Sequence, residues 1–257
     1  AANLIPAFLE PGGKDPLIVL ESADVEKASD AALRGSILAT GQACQSIERI
    51  YVQRPIYDAF VARLTEKAEA VRLNWPDPDQ GDIGPIIFCK QADKLKAQIN
   101  DAIAKGAEIK TGGVIEGHGG GLWLRPTVIT NVNHDMAIMR EETFGPVMPV
   151  MAFDTAPEAV ALANDTVFGL SAAVIAGARD EAEAVAREID AGAVSLNDTS
   201  LTGVFFEAEK HSFKCSGLGG SRMGAAGFQR FFRRKALIEQ TGAPAPIAAF
   251  SEKAETN

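Results

Sequence analysis

The feature that most constrains this chain is the regular alternation of short apolar runs with stretches of helical periodicity. Leu17-Ile18-Val19-Leu20, bounded by Pro16 and an acidic stretch, reads as a buried strand. Asp24 then stands where a helix cap is needed, ahead of Val25, Ala28, Ala32 and Leu33 at helical spacing. A second strand is predicted over 49–53. A helix over about 56–73 follows, with Phe60, Leu64 and Ala68 on one face. Residues 75–81 must form a loop, because Pro76 and Pro78 remove donors and exclude helix. Helix is expected again over 90–105, ended by Gly106. Gly112-Gly113 and the glycines of 117–121 mark turns around a hairpin-like region. Strands are then expected over 127–130, 147–153, 172–175 and 193–197. Helices fall over 157–164, opened by Pro157, and over 179–189. This rhythm argues for an α/β fold, a mainly parallel twisted sheet flanked by helices.

The last fifty or so residues break the pattern. They carry a glycine-rich turn (Gly217, Gly219, Gly220, Gly224, Gly227), then Arg230, Arg233, Arg234 and Lys235, expected on a basic helix, and an Ala/Pro tail. The chain is therefore divided at 1–207 and 208–257. The 257 residues can bury a substantial core, and 46% hydrophobic with 23% charged residues excludes disordered and fibrous classes. The net charge of −9 argues against nucleic acid as a partner. Apolar runs are too short to cross a bilayer, and no secretory signal pattern is present, so no membrane association is expected. Cys44, Cys89 and Cys215 are too few and too widely spaced for a disulfide framework, which suits a reducing, cytoplasmic compartment. The start at Ala1, without methionine and close to strand-like sequence, suggests a piece of something longer.

Metal chemistry is not expected, because His118, His134 and His211 are far apart and no CxxC occurs. Gly217-Leu218-Gly219-Gly220-Ser221-Arg222 and the 117–122 stretch both lack the third glycine of GxGxxG, and no GxxxxGK[ST] exists. Cys44, in Gly41-Gln42-Ala43-Cys44, lies between a helix and a strand, where reactive groups gather. It reads either as a nucleophile or as a buried small hydrophobe. Cys89 reads as structural. Glu10, ahead of Pro11-Gly12-Gly13-Lys14, reads either as a solvated turn carboxylate or as a general base facing Cys44 across one apolar cleft. Glu141-Glu142-Thr143-Phe144 can bind a polyol and stack on a flat ring, or simply end a helix. Phe205 and Phe206 read as core, or as the mouth of a channel.

Together these segments resemble the aldehyde dehydrogenase superfamily. Glu10-Pro11-Gly12-Gly13-Lys14-Asp15-Pro16 is similar to its E-L-G-G-K-[NDS]-P general-base motif, and Gly41-Gln42-Ala43-Cys44 to its G-Q-x-C nucleophile motif. Glu10 and Cys44 are 34 positions apart, as in many members. Glu141-Glu142-Thr143-Phe144-Gly145-Pro146 resembles E-E-x-F-G-P. That likeness implies that Glu142 holds the nicotinamide ribose and Phe144 lies against the nicotinamide ring. Arg125-Pro126-Thr127-Val128, Asn164-Asp165 before Phe168-Gly169-Leu170, and Lys214-Cys215-Ser216-Gly217-Leu218-Gly219 match further landmarks in order. The likeness runs from 10 to about 237 and covers the second half of a family chain. It makes 1–207 the catalytic domain, with an extension toward the cofactor and oligomerisation region, and leaves most of the dinucleotide-binding domain outside.

The resemblance implies NAD(P)-dependent oxidation of a small aldehyde to a carboxylate, with NAD or NADP as cofactor, in a homo-oligomer (dimer or tetramer). Cys44 is then the nucleophile, forming a thiohemiacetal and a thioester, and Glu10 the base for hydrolysis. Three departures stand out. Pro11 replaces the usual leucine, the 220–224 turn carries no acid, and Glu209-Lys210-His211-Ser212-Phe213 replaces P-F-G-G. Two other readings compete: an inert catalytic-domain piece that mainly self-associates, and a cysteine esterase or hydrolase.

Overall fold

Side-chain alternation in the first strand, β1 (Asp15–Val19), shows how the layers are built. Leu17 and Val19 point into one apolar core and Ile18 into another, because successive side chains of a strand face opposite ways. A strand buried on both faces needs a continuous apolar run, and Leu17-Ile18-Val19 supplies it. The computed structural model that shows this describes residues 5–250; the end of the Ala/Pro tail lies outside the described residues.

After β1 the chain forms α1 (Val25–Ile37), β2 (Ile47–Gln53), α2 (Arg54–Ala70) and α3 (Cys89–Ala104). Next come β3 (Glu108–Thr111), the hairpin β4 (Ile115–His118) and β5 (Gly121–Leu124), and β6 (Thr127–Thr130). A short α4 (Ala137–Arg140) leads to β7 (Val147–Phe153), α5 (Ala156–Asn164), β8 (Phe168–Gly169) and β9 (Ala172–Ile175). The remainder is α6 (Arg179–Ala186), β10 (Val194–Leu196), α7 (Leu201–Val204), β11 (Phe213–Lys214) and α8 (Gly224–Gln229).

Seven strands form one sheet in the order β10-β9-β1-β2-β7-β6-β3. Every neighbouring pair is parallel except β3 with β6. Ile50, Val52, Phe60, Leu64 and Ala28 join Leu17 and Val19 under α1 and α2 on one face. Leu95, Ile99, Ala159, Ala182 and Val185 cover the other face from α3, α5 and α6. The expected α/β architecture, a mainly parallel sheet flanked by helices, is the one observed.

Local chemistry sets the element ends. The Asp24 carboxylate accepts from the Glu26 and Lys27 N–H groups and caps α1. Pro55, within the first turn of α2, starts that helix two residues before the apolar periodicity does. Gly106, at φ +95°, takes the left-handed conformation just past α3. Arg49 is wholly buried on the α5 side of the sheet. It donates to the Leu162 and Ala163 carbonyls, placing a cation on the last turn of α5.

Two expectations need correction. The helix in the glycine-rich region is α8, and Arg230, Arg233, Arg234 and Lys235 lie beyond it, outside any helix. No apolar face anchors that stretch, since Phe231 and Phe232 are both exposed, and a short helix without tertiary packing is marginal in water. Phe205 and Phe206 are exposed as well and do not belong to the core. Removing the Phe60 ring, which is 0% exposed, should cost about 3–5 kcal/mol. Phe60→Ala is therefore expected to lower the urea midpoint sharply with an unchanged m-value.

Candidate active site

Because β1, β2 and β7 are parallel neighbours, the loops that enter them lie side by side at one edge of the sheet. Glu10 to Lys14 enter β1, Cys44 precedes β2, and Glu141 to Gly145 precede β7. The site thus forms at the amino ends of the strands, whereas open α/β sheets ordinarily bind ligands at the carboxyl ends.

Missing side chains let the loops meet. A Cβ on Gly13 would lie 2.7 Å from the Cys44 carbonyl oxygen, and one on Gly12 would lie 2.6 Å from Glu142 Oε1. Gly41, at φ +67°, approaches the Gly145 backbone so closely that a Cβ would lie 2.4 Å from it. The loop before Cys44 is also strained, since Ala39 and Thr40 hold positive φ of 53° and 59°. Thr40 Oγ1 accepts from the Gly84 N–H at 3.1 Å and faces the Gly84 carbonyl at 3.3 Å. The Gln42 amide donates to the Pro85 carbonyl and accepts from the Ile87 N–H. These bonds hold the strained turn in place.

Beneath the loops lies a buried polar cluster. Lys14 Nζ donates to Glu48 Oε2 at 2.9 Å and to Thr143 Oγ1 at 2.7 Å. The Glu48 carboxylate also accepts the N–H groups of Thr143 and Phe144 at 2.8 and 2.7 Å. Burial pushes the Lys14 amine down, and the neighbouring Glu48 charge opposes that shift. Sequence reasoning missed Lys14, Glu48 and Thr143. The available signal was Glu48 and Arg49 side by side, flanked by Ile47 and Ile50 in a strand that is buried through Val52. Asp15 is also buried, and the Ser171 hydroxyl and N–H donate to it. Desolvation raises its carboxyl to about 8.

Cys44 is half-buried and lines a cavity of about 280 Å³ with Leu38, Gln45, Ser46, Ser200 and Thr202. Burial raises its thiol, and the nearby Asp15 and Glu142 carboxyls raise it further. Glu142 accepts from the Gly13 N–H at 3.2 Å through Oε1, and its pKa is raised by burial and then by Glu48. Phe144 sits at φ +52°, pinned by Glu48 and partly open to solvent. Glu10 does not lie in an apolar cleft. Its carboxylate pairs with Arg222, in a separate small cavity shared with Phe8, Lys210 and Ser212. The Glu10 and Cys44 side chains therefore line neighbouring cavities rather than one. Cys89 is exposed at the start of α3 and contributes nothing to the core. Among the described residues no cluster of His, Cys, Asp and Glu is arranged to hold a metal.

The model of the aldehyde dehydrogenase family matches residues 1–237. This chain belongs to that family. The betaine aldehyde dehydrogenase of Sinorhizobium fredii is 42% identical over 206 residues, covering 79% of this chain and 42% of its own length. The solved structure of PutA from Anabaena variabilis superposes with a TM-score of 0.93 at 54% identity, covering 95% of this chain and 52% of that one. A Staphylococcus aureus betaine aldehyde dehydrogenase in complex with NAD+ gives a TM-score of 0.83 at 37% identity, covering 90% of this chain and 46% of that one. The chain thus spans about half the length of the family members it matches. No helix among the described residues is long and apolar enough to cross a membrane.

Removing one partner of the buried pair leaves the other charge stranded, which costs about 3–5 kcal/mol. Glu48→Ala should therefore destabilise the protein by that amount and release the Thr143 and Phe144 N–H groups. Both effects are measurable by urea denaturation and amide exchange. Asp15 adds a pH dependence. Unfolded, it ionises near pH 4; folded, it keeps its proton to about pH 8. Between those values folded Asp15 holds more proton than unfolded Asp15, so its own contribution to stability is fully present below pH 4 and is lost as pH rises toward 8. Asp15→Asn should flatten the decline in urea midpoint between pH 5 and pH 8.

Proposed function

We propose that this chain carries the catalytic half-site of an NAD(P)-dependent aldehyde dehydrogenase that oxidises a small aldehyde to a carboxylate. The observation that carries the reading is the convergence of the Gly12-Gly13 turn, the Cys44 loop and the Glu142-to-Gly145 loop through close backbone contacts. Residues 1–207 would form the catalytic domain and 208–257 its extension. The three free cysteines suit the cytoplasm, and the exposed Phe205, Phe206, Phe228, Phe231 and Phe232 suit a homo-oligomer, dimer or tetramer.

Glu142 and Phe144 fit the nicotinamide end of a dinucleotide. Glu142 uses one oxygen on Gly13, and among the described residues its second oxygen accepts nothing, which leaves it open to a ribose hydroxyl. Phe144 offers a partly exposed ring on a backbone fixed by Glu48. The bound nicotinamide supplies a hydride acceptor.

The Cys44 thiol gives its proton to solvent water and its sulfur bonds to the carbonyl carbon as the C=O π bond breaks, leaving a thiohemiacetal oxyanion for donors in the cavity to stabilise. Loss of hydride from that carbon leaves a thioester on Cys44. Glu10, turned from Arg222, takes a proton from water as its oxygen bonds to the acyl carbon; the S–C bond then breaks and the carboxylate leaves. The raised Cys44 thiol means that this proton must be drawn off when substrate and cofactor arrive, because the resting site does not favour thiolate. A hydrolase reading would need a histidine beside the sulfur. His134 instead bonds Asp165 and the buried Tyr51, and the Cys44 cavity is lined by no histidine.

In the whole enzyme, Cys44→Ala should reduce NAD(P)-dependent aldehyde oxidation to background, and appreciable turnover would overturn the assignment. Glu10→Gln should slow kcat about 10²–10⁴-fold and let acyl-enzyme accumulate, read by mass spectrometry in a rapid quench. A normal steady state in that variant removes Glu10 from the mechanism.

A further inference from the structure

Lys210 is a cation that the mechanism above leaves unused. Its ammonium donates to the Thr202 carbonyl, and Thr202 lines the Cys44 cavity. Lys210 itself lines the adjoining cavity that holds Glu10 and Arg222. It therefore stands between the sulfur and the carboxylate of the proposed reaction, half-buried, on the segment where the family's P-F-G-G is replaced. An ammonium has three N–H donors, and among the described residues only one is engaged. The carboxyls nearby do not neutralise it. Glu10 is paired with Arg222, and Asp15 keeps its proton to about pH 8. Its effect on the sulfur is also small, since the Cys44 thiol is raised in spite of it. A half-buried cation with spare donors at a reactive cavity has its best partner in an anion from outside.

We propose that Lys210 is a specificity-determining residue that recognises an anionic group of the aldehyde, making the substrate an aldehyde that also carries a carboxylate. This rests on the aldehyde-oxidation reading and adds the substrate class to it. A cationic aldehyde, such as the one named for the betaine aldehyde dehydrogenases, would be repelled at this position.

The test needs neither cofactor nor turnover. Iodoacetate and iodoacetamide are near-isosteres, one anionic and one neutral, and the thiolate displaces iodide from either. Alkylation of Cys44 is followed by peptide mass spectrometry in this chain, with the exposed Cys89 as internal reference. Relative to Cys89, Cys44 is expected to favour iodoacetate, and added salt should erode that preference. Lys210→Met should lower the iodoacetate-to-iodoacetamide rate ratio at Cys44 roughly fivefold, while Lys210→Arg keeps it. If both rates change together and the ratio holds, Lys210 acts only on the sulfur; the proposal falls and the nucleophile stands. A ratio in the unaltered chain that equals that of Cys89 and ignores salt also overturns it. Failure of both reagents to reach Cys44 removes the nucleophile, and this inference with it.

Discussion

The site depends on one carboxylate placed inside the sheet. Glu48 sits in β2 at 3% exposure and spends its acceptors on Lys14, Thr143 and Phe144, which belong to the two flanking loops. An ion pair this deep gives little net stability, because desolvation of both ions offsets their attraction. Its value is geometric. A charge that cannot be left unpaired forces the β1 and β7 entry loops into one arrangement around β2, and that arrangement sets Glu142 against Gly12 and Gly13. Conformational specificity, rather than stability, is the physical reason for keeping Lys14 and Glu48 here.

Placing a site at the amino ends of parallel strands has consequences for the chemistry. The Cys44 loop does not begin a long helix whose N-terminus would favour thiolate; it follows a strained turn and leads into a strand. Burial, with Asp15 and Glu142, therefore raises the thiol, outweighing the lowering by a backbone hydrogen bond and by Lys210. A neutral thiol is protected from oxidation and from adventitious electrophiles, since thiolate is the reactive form. The Ala39-Thr40 strain, locked by Gly84 and Pro85 through Thr40 and Gln42, fixes the sulfur's position without activating it.

Much of the fold was legible because it follows from periodicity. The Leu17-Ile18-Val19 run, the Asp24 cap and the Gly106 stop each act within a few residues, and each reappears in the structure. Glu10, Cys44, Glu142 and Phe144 were singled out as candidates through motif resemblance. Their placement was not legible, because it depends on contacts between residues more than thirty positions apart. Glu10 illustrates this. Its ion pair with Arg222 joins residues 212 positions apart, and no local pattern announces it. The Lys14–Glu48 pair was hidden for the opposite reason: a strand period assigns charged residues to the surface, and Glu48 obeys a tertiary demand instead. The basic stretch failed as a helix because its charges describe one face only, and the aromatic residues beside them find nothing to pack against.

Most charges around the three loops are compensated within the fold. Asp15 is neutralised by its own proton, Glu48 by Lys14 and Glu10 by Arg222. Among the described residues, Glu142 and Lys210 are half-buried without an ion-pair partner, each holding one backbone group, and half-buried Lys94 is likewise unpaired but close enough to Glu142 to favour its charged form. Leaving a charge half-desolvated and unpaired is unfavourable, which is the physical ground for the ligand roles proposed for Glu142 and Lys210. Glu142 is an acceptor, suited to hydroxyls; Lys210 is a donor, suited to an anion. The proposed roles of these two groups thus divide by sign, an acceptor for a sugar hydroxyl and a donor for a carboxylate.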